Sequence, residues 1–498
     1  MIARLEVTIT EQCFGRKVTP SAFVLFWISS KFLDGFRYHS LSVIRSEARS
    51  FNVTTTRKEV VVAAAPLLSL PENRVIPLSN LDLLIPPVDI NVCFFYKKPL
   101  YGIIGDALKT AMAEALVSYY VLSGEVSINP TNGENEILCS NGGVEFVEAA
   151  ADVELRELNL YEPYQSIAKF VPMKKHGVFA IQVTELKCGS VVVGCTFDHR
   201  IADAYSMNMF LVSWAEISRS DVPISYVPLL KSSLLKPRRP LIIDSSIDKL
   251  YMPITSLTVP QEITNQDNIL TSRIYYIKAD VLEKFQTLAT NGKRTKLESF
   301  SAFLWKLLAK HAATESVHPT KTSKLGIVVD GRKKLMEQEN CNYFGNVLSV
   351  PFGERRIDDL IHKPLSWVTD EVHKLLESTM TKDHFLNLID WVETSRPIPV
   401  ISKIYDIGSD DGPAFVVSSG KSFPVTPIDF GWGSPVFGSY HLPPGSRAGY
   451  VMTMPSPVEN GGSGDWMVYL HLTKGQLRFI EQEASHVFNP VDNDYLKI

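Results

Sequence analysis

Eleven histidines occur in this 498-residue chain, and one of them, His199, stands where a side chain could act on a substrate. It ends a β-branched, apolar run over 190–198 and precedes a helical pattern beginning near 204, in the string T-F-D-H-R-I-A-D-A. By the two-residue period of a strand it continues the face of Val193, Cys195 and Phe197 and points inward. A rigid strand end that opens onto a turn is a place where a side chain is both aimed and accessible. A neutral imidazole there can take a proton from a hydroxyl or an amine that attacks an activated carbonyl. The alternative is a buried histidine with a structural role. Asp203, four residues on, also has two readings. It orients His199 as in a triad, or it turns away, caps the following helix and pairs with an arginine. The spacing alone says little: with 54 acidic residues in the chain, about one such pair is expected by chance. His311/Glu315 and His373/Glu377 share it on helical stretches and read as surface pairs.

The second unusual string is D-F-G-W-G at 429–433, followed by Ser434 and Pro435. Gly431 and Gly433 around Trp432 predict a loop with positive φ or close backbone approach, with Asp429 at its start. Its plain alternative is a packing turn in which Trp432 plugs the core. A kinase reading of D-F-G fails for want of a glycine-rich loop and an H-R-D motif.

The surrounding patterns say what must position these residues. Strands are predicted over 51–65, 91–96, 178–184, 190–198, 272–277, 324–329 and 414–419, with a hairpin from 448–454 and 466–472. Helical spacing runs over 101–123, 204–218, 296–312, 365–378 and 383–394. Thr295 with Glu298, and Thr473 with Gln476, form capping boxes, the latter opening a helix to about Phe488. Six prolines between 220 and 270 prevent any long regular element, so this stretch reads as a crossover between domains. The expected division is an N-terminal extension over 1–50, a first domain over 51–220, the crossover over 221–270 and a second domain over 271–498. Strands and helices are interspersed in both, so the class is mixed α/β or α+β.

Composition narrows the function classes. Lys+Arg is 50 and Asp+Glu is 54, a balance that does not call for nucleic acid. No apolar run reaches the roughly 20 residues that span a bilayer. The six cysteines form no C-x-x-C pair, which argues against a zinc ribbon or a redox pair and fits a reduced, cytoplasmic protein; Cys188 and Cys195 read as buried thiols. Dinucleotide, P-loop and α/β-hydrolase fingerprints are absent. The first 50 residues carry seven Lys/Arg against four acids, which suits a targeting segment or a dispensable extension; no A-x-A-like cleavage site follows the apolar run.

HRIAD at 199–203 and DFGWG at 429–433, in that order and about 230 residues apart, resemble the BAHD family of plant acyl-CoA-dependent acyltransferases. LSNLDLL at 78–84, YYVLSGEV at 119–126, VDGRKKL at 329–335 and NYFGNVLSVPFG at 342–353 are lesser matches. The resemblance covers about 51–498. Chloramphenicol acetyltransferases and dihydrolipoyl acyltransferases carry a segment similar to the first motif but lack the second.

The resemblance implies two similar chloramphenicol-acetyltransferase-like domains with a solvent channel between them. It implies that His199 is the general base in mid-channel, that acyl-CoA enters one mouth as co-substrate and that the acceptor enters the other. It makes Asp203, Asp429, Gly431, Trp432 and Gly433 structural, with Arg273 and Arg332 as candidate partners of the two aspartates. Because a thioester is already activated, no metal, bound cofactor or covalent enzyme nucleophile is required, and a monomer is expected. An oxyanion donor is sought at Ser418, Ser419 or Trp432. Shikimate and quinate hydroxycinnamoyltransferases typically carry T-S-W-x-R-L-P before DFGWG, the arginine holding the acceptor carboxylate. Here 418–424 reads S-S-G-K-S-F-P, with Gly420 at the tryptophan's place and Ser422 at the arginine's. A neutral alcohol, as in coniferyl alcohol acyltransferases, fits better. Val347 after Asn346 argues against the anthocyanin acyltransferases. An amine acceptor, a non-catalytic relative acting as a partner protein and a dihydrolipoyl-type core are the other readings.

Overall fold

Val191–Asp198 is buried along its whole length, and its sequence VVVGCTFD suits a central strand covered on both faces. Gly194 is required there: a Cβ would lie 2.0 Å from the Phe170 carbonyl oxygen. The structure is a computed structural model describing residues 50–498 except 65–73, 101–104, 220–223, 258–265, 291, 316–317, 319, 337–341, 408–410, 426, 442–447 and 459–463. The extension over 1–49, Cys13 and Cys341 lie outside the described residues.

Among the described residues the first sheet runs Val53–Val61, Val144–Ala151, Phe179–Leu186, Val191–Asp198, Asp89–Tyr96, Phe437–His441. Only the Val144–Ala151/Phe179–Leu186 pair is parallel. The second sheet runs Phe352–Arg356, Thr322–Ile327, Ala414–Ser419, Gly449–Pro455, Trp466–Thr473, Leu270–Ile277, Asn489–Pro490. Helices Gly105–Ser118 and Ala204–Ser218 cover one face of the first sheet, burying Phe146, Phe210 and Trp214. Helices Ala279–Thr290, Lys296–Thr314 and Leu365–Thr379 cover one face of the second, burying Tyr275, Val417 and Leu470. The remaining faces supply a third core, in which Cys93 and Phe95 of the first sheet share apolar contact with Ile274, Met452 and Tyr469 of the second. Strand alternation makes this possible: Ile274 and Tyr275 are neighbours in sequence and belong to different cores. The mixed α/β class follows the sequence reading.

Several details depart from it. Strands at Glu125–Ile128, Asn135–Cys139, Val144–Ala151, Phe352–Arg356 and Phe437–His441 were not expected. Phe437–His441 pairs with Asp89–Tyr96, so a stretch assigned to the second half completes the first sheet. Its sequence FGSYH is too short and too mixed to announce a strand. The helix opened by Thr473 stops at Glu483, well before Phe488, and a short helix Asn493–Leu496 follows. His373 is not paired with Glu377 in a surface pair: its Nδ1 lies 2.7 Å from Oε1 of Glu298, the capping-box glutamate of Lys296–Thr314. His311 does approach Glu315, at 3.9 Å, but its side chain is only 13% exposed. Cys195 is buried as expected, whereas Cys188 sits half-buried in the turn after Phe179–Leu186.

Two other histidines are buried. His384 has Nε2 2.8 Å from Ser349 Oγ, and His471 has Nδ1 3.0 Å from Ser272 Oγ. Burial pushes both imidazoles down to about 4. An unfolded chain takes up these two protons near the ordinary pKa of about 6.5, the folded one only near 4. The unfolded state therefore binds more protons throughout that window, and stability falls as pH drops from 6.5 towards 4. The steepest slope is about 1.4 kcal/mol per pH unit for each histidine. Urea unfolding at pH 7, 6 and 5 should show this loss, and the double variant His384→Asn/His471→Asn should flatten it. An unchanged slope in the double variant assigns the effect to other groups.

Candidate active site

The strand Val191–Asp198 delivers His199, and a tight turn then reverses the chain into the helix Ala204–Ser218. Arg200 folds back on Asp198, with Nε 3.0 Å from Oδ1 and Nη2 2.6 Å from Oδ2. The His199 backbone N–H donates to the Val88 carbonyl at 2.9 Å. Among the described residues the His199 ring makes one hydrogen bond, Nδ1 to the Ala202 carbonyl at 3.2 Å, and lies edge-on to Phe197 at 6.4 Å. A carbonyl only accepts, so this contact requires the proton on Nδ1, and in the neutral ring the lone pair is then on Nε2. That is the tautomer a general base needs.

Asp203 does not orient His199. It is the N-cap of Ala204–Ser218, accepting the Ser206 N–H at 3.0 Å. Both its oxygens also receive the Arg332 guanidinium, at 2.7 and 2.9 Å. The two side chains are at most 4% exposed. Arg332 further donates to Ser206 Oγ at 2.9 Å and to the Gly345 carbonyl at 2.8 Å, and it stacks on Tyr205 at 4.9 Å. Of the two candidate arginines, Arg332 is thus the partner of Asp203, while Arg273 pairs with Glu162 at 2.7 Å.

Two of the lesser matches converge on the same turn. Asn346 Nδ2–H donates to the His199 carbonyl at 2.9 Å and to Asp82 Oδ1 at 2.9 Å. Asp82 is buried, which raises its carboxyl above the ordinary value, and Ser79 supports it at 2.6 Å through Oγ–H. Sequence reasoning gave these residues no role. The signal was present in LSNLDLL and NYFGN, two polar-studded strings amid apolar residues.

His199 opens onto a cavity of about 430 Å³. Leu84, Val88, Ile90 and Phe197 from the first half face Val328, Val350, Ile401 and Met452 from the second across it. Tyr251, Ile254 and Leu257 also line it, so the stretch expected only to cross between domains builds part of the wall. Tyr205, Tyr405, Tyr440 and Tyr450 add aromatic surface, and Ser402, Ser418, Ser419 and Ser422 add hydroxyls. Asp203 and Asp330 also border it with their charges engaged by Arg332, and among the described residues no lysine or arginine lines it. An apolar cavity with a few convergent polar groups is the ordinary form of a small-molecule site.

DFGWG does not line this cavity among the described residues. Gly431 and Gly433 adopt φ of 90° and 87°, as the glycine spacing predicts. Asp429 Oδ1 accepts backbone N–H groups from Gly431, Trp432 and Gly433 at 2.8, 2.9 and 2.8 Å. The expected arginine pairing takes another form: Arg219, the C-cap of Ala204–Ser218, donates to the Asp429 backbone carbonyl. Trp432 packs edge-on against Tyr96 at 5.4 Å and beside Phe430 at 5.2 Å and is not among the residues that line the cavity. The motif is the anchored bend before Phe437–His441, and that strand brings Tyr440 to the cavity.

Comparisons with known proteins agree with this geometry. A family model described as the Transferase family matches residues 51–487. A shikimate O-hydroxycinnamoyltransferase of Nicotiana tabacum is 25% identical over 402 residues, 77% of this chain and 89% of that protein. A fatty alcohol:caffeoyl-CoA acyltransferase of Arabidopsis thaliana is 26% identical over 412 residues, 78% of this chain and 89% of that protein. In fold, the chain superposes on vinorine synthase with a TM-score of 0.66 at 18% identity, covering 88% of this chain and 99% of that one. It also superposes on F. graminearum TRI101 complexed with coenzyme A and deoxynivalenol, with a TM-score of 0.67 at 12% identity, covering 84% of this chain and 99% of that one. With the family matched over most of its length and the mixed α/β fold shared, the chain belongs to the BAHD family of acyl-CoA-dependent acyltransferases.

Proposed function

We propose that the protein moves an acyl group from an acyl-CoA thioester to the hydroxyl of a neutral aromatic alcohol, with His199 as general base. The observation that carries this is the His199 ring: Nδ1 is held by the Ala202 carbonyl while the residue borders a largely apolar cavity. Nε2 takes the proton of the acceptor hydroxyl as its oxygen bonds to the thioester carbonyl carbon. The tetrahedral intermediate collapses, the C–S bond breaks, and the imidazolium returns the proton to the departing thiolate. Ser418 and Ser419, which border the cavity, are the candidates for binding the oxyanion. The halves 51–220 and 271–498 act as two domains that exchange the strand Phe437–His441.

The cavity's charge supports a neutral acceptor. An acidic acceptor needs a cation, since a bidentate arginine–carboxylate contact is about twice as strong as a neutral hydrogen bond. Here Ser422 takes that place, and among the described residues no lysine or arginine borders the cavity. Among the described residues a shikimate-like carboxylate would find no free cation there, the Arg332 charge being spent on Asp203 and Asp330. With one acyl-CoA, kcat/KM for coniferyl alcohol should exceed that for shikimate by about tenfold or more, as expected for a lost charged contact of 1.5–3 kcal/mol. Shikimate proving the better acceptor would overturn the assignment. No transfer to any alcohol would overturn the general-base reading as well.

A further inference from the structure

Behind the main cavity lies a second, much smaller one of about 10 Å³. Tyr440 and Tyr450 form walls of both. The small compartment lies between the two sheets. Ser439 of the first sheet borders it, as do Tyr450, Tyr469 and His471 of the second. Strand pairing sets up the polar row on the second sheet: Tyr450 lies opposite His471, and His471 opposite Ser272. All three share the parity of Met452, Tyr469 and Ile274, the residues that face the first sheet.

Two polar atoms there are buried and have no hydrogen-bond partner among the described residues: His471 Nε2 and Ser439 Oγ. Their residues are 3% and 1% exposed. On His471 the other ring nitrogen is already used, with Ser272 Oγ at 3.0 Å and Tyr164 Oη at 3.2 Å, so the ring cannot satisfy itself by rotating away without breaking these. Arg273 borders the compartment too, but its charge is engaged by Glu162. A buried polar atom left unpaired is costly, so natural interiors rarely keep two in one place without something to pair them. The volume is of the order of one oxygen, about 10–15 Å³ by the same measure.

We propose that this compartment is a specificity subsite that receives the hydroxyl of a hydroxylated aromatic substrate, paired with His471 Nε2 and Ser439 Oγ. The ring carrying that hydroxyl lies in the main cavity, between Tyr440 and Tyr450. The inference rests on the reading of the main cavity as the substrate cavity. It adds the residues that distinguish a phenol from its unsubstituted analogue. A site built to pair a hydroxyl discriminates strongly against the substrate lacking it, because its own polar groups are then left unpaired.

The hydroxyl can come from the acyl group or from the acceptor, and two arms separate these. One compares kcat/KM for 4-coumaroyl-CoA and cinnamoyl-CoA with a single alcohol. The other compares 4-hydroxycinnamyl and cinnamyl alcohol with a single acyl-CoA. In one arm the hydroxylated substrate should be preferred by about tenfold or more. The ratio should fall to near unity in His471→Phe and drop clearly in Ser439→Ala, a change too small to threaten the fold. A third measurement does not depend on turnover. In protein with 15N-labelled histidine, the Nε2 resonance of His471, identified by its loss in His471→Phe, should move with 4-methylphenol and stay with toluene. Equal rates in both arms, or ratios retained in both variants, would overturn the subsite. A phenol-specific shift of His471 in a protein that transfers no acyl group would uphold the subsite and overturn the acyl-transfer reading instead.

Discussion

His199→Ala is expected to lower kcat by about 10²–10⁴-fold, the range for losing a positioned general base. Unfolding should change little, because among the described residues the ring makes a single hydrogen bond, to the Ala202 carbonyl. The backbone contacts that hold the turn, from His199 N–H to Val88 and from Asn346 to the His199 carbonyl, survive the substitution. The rest of the rate enhancement comes from holding thioester and alcohol together and from binding the oxyanion, so activity above the uncatalysed reaction persists. Release of free thiol from acyl-CoA, measured beside a urea unfolding curve, checks both halves of the expectation. A variant that keeps more than a few per cent of kcat removes His199 as the base. One that loses activity together with its unfolding transition shows the histidine to be structural.

The second large effect lies at Asp203 and Arg332. Asp203→Ala leaves the guanidinium of Arg332 buried with only Ser206 Oγ, Asp330 and carbonyls for company. Stranding a buried charge in this way costs about 3–5 kcal/mol. Arg332→Met takes the cation from Asp203 and from Asp330; Asp203 keeps the Ser206 and Val347 N–H groups and the Asp330 side chain is 38% exposed, so its penalty should be the smaller of the two. The double variant Asp203→Ala/Arg332→Met should recover part of the loss, since the buried Asp203 carboxylate and Arg332 guanidinium are then removed together. Urea unfolding of the four proteins measures the coupling. An unshifted transition in Asp203→Ala together with lost turnover would give Asp203 a direct part in proton transfer, against the geometry.

The contrast between the two motifs has a physical origin. His199 is held lightly and faces the cavity, whereas Asp203 is held by four donors and faces the joint between chain segments 203–206 and 332–347. Asp429 is held likewise, by the three N–H groups of its own turn. A catalytic side chain must keep a lone pair free, and a structural one is spent on its neighbours.

The sequence by itself determined the local elements: the Val191–Asp198 strand, the Ala204–Ser218 helix, both capping boxes and the glycine-dependent bend at 431–433. Each depends on a short-range rule, such as strand alternation, helical spacing, an N-cap or a positive φ, that neighbouring residues satisfy among themselves. Strand parity also sufficed to point His199 inward. What only the tertiary structure decided was partnership across long separations. Arg332 rather than Arg273 meets Asp203, Arg219 meets Asp429 through its backbone, and Asn346 bridges Asp82 to His199. The short strand Phe437–His441 leaves the second half to pair with Asp89–Tyr96, and Tyr251 of the proline-rich stretch joins the cavity wall. Local pattern carries no record of such pairings: an arginine reads the same wherever its partner lies, and a five-residue strand owes its place to the edge it completes.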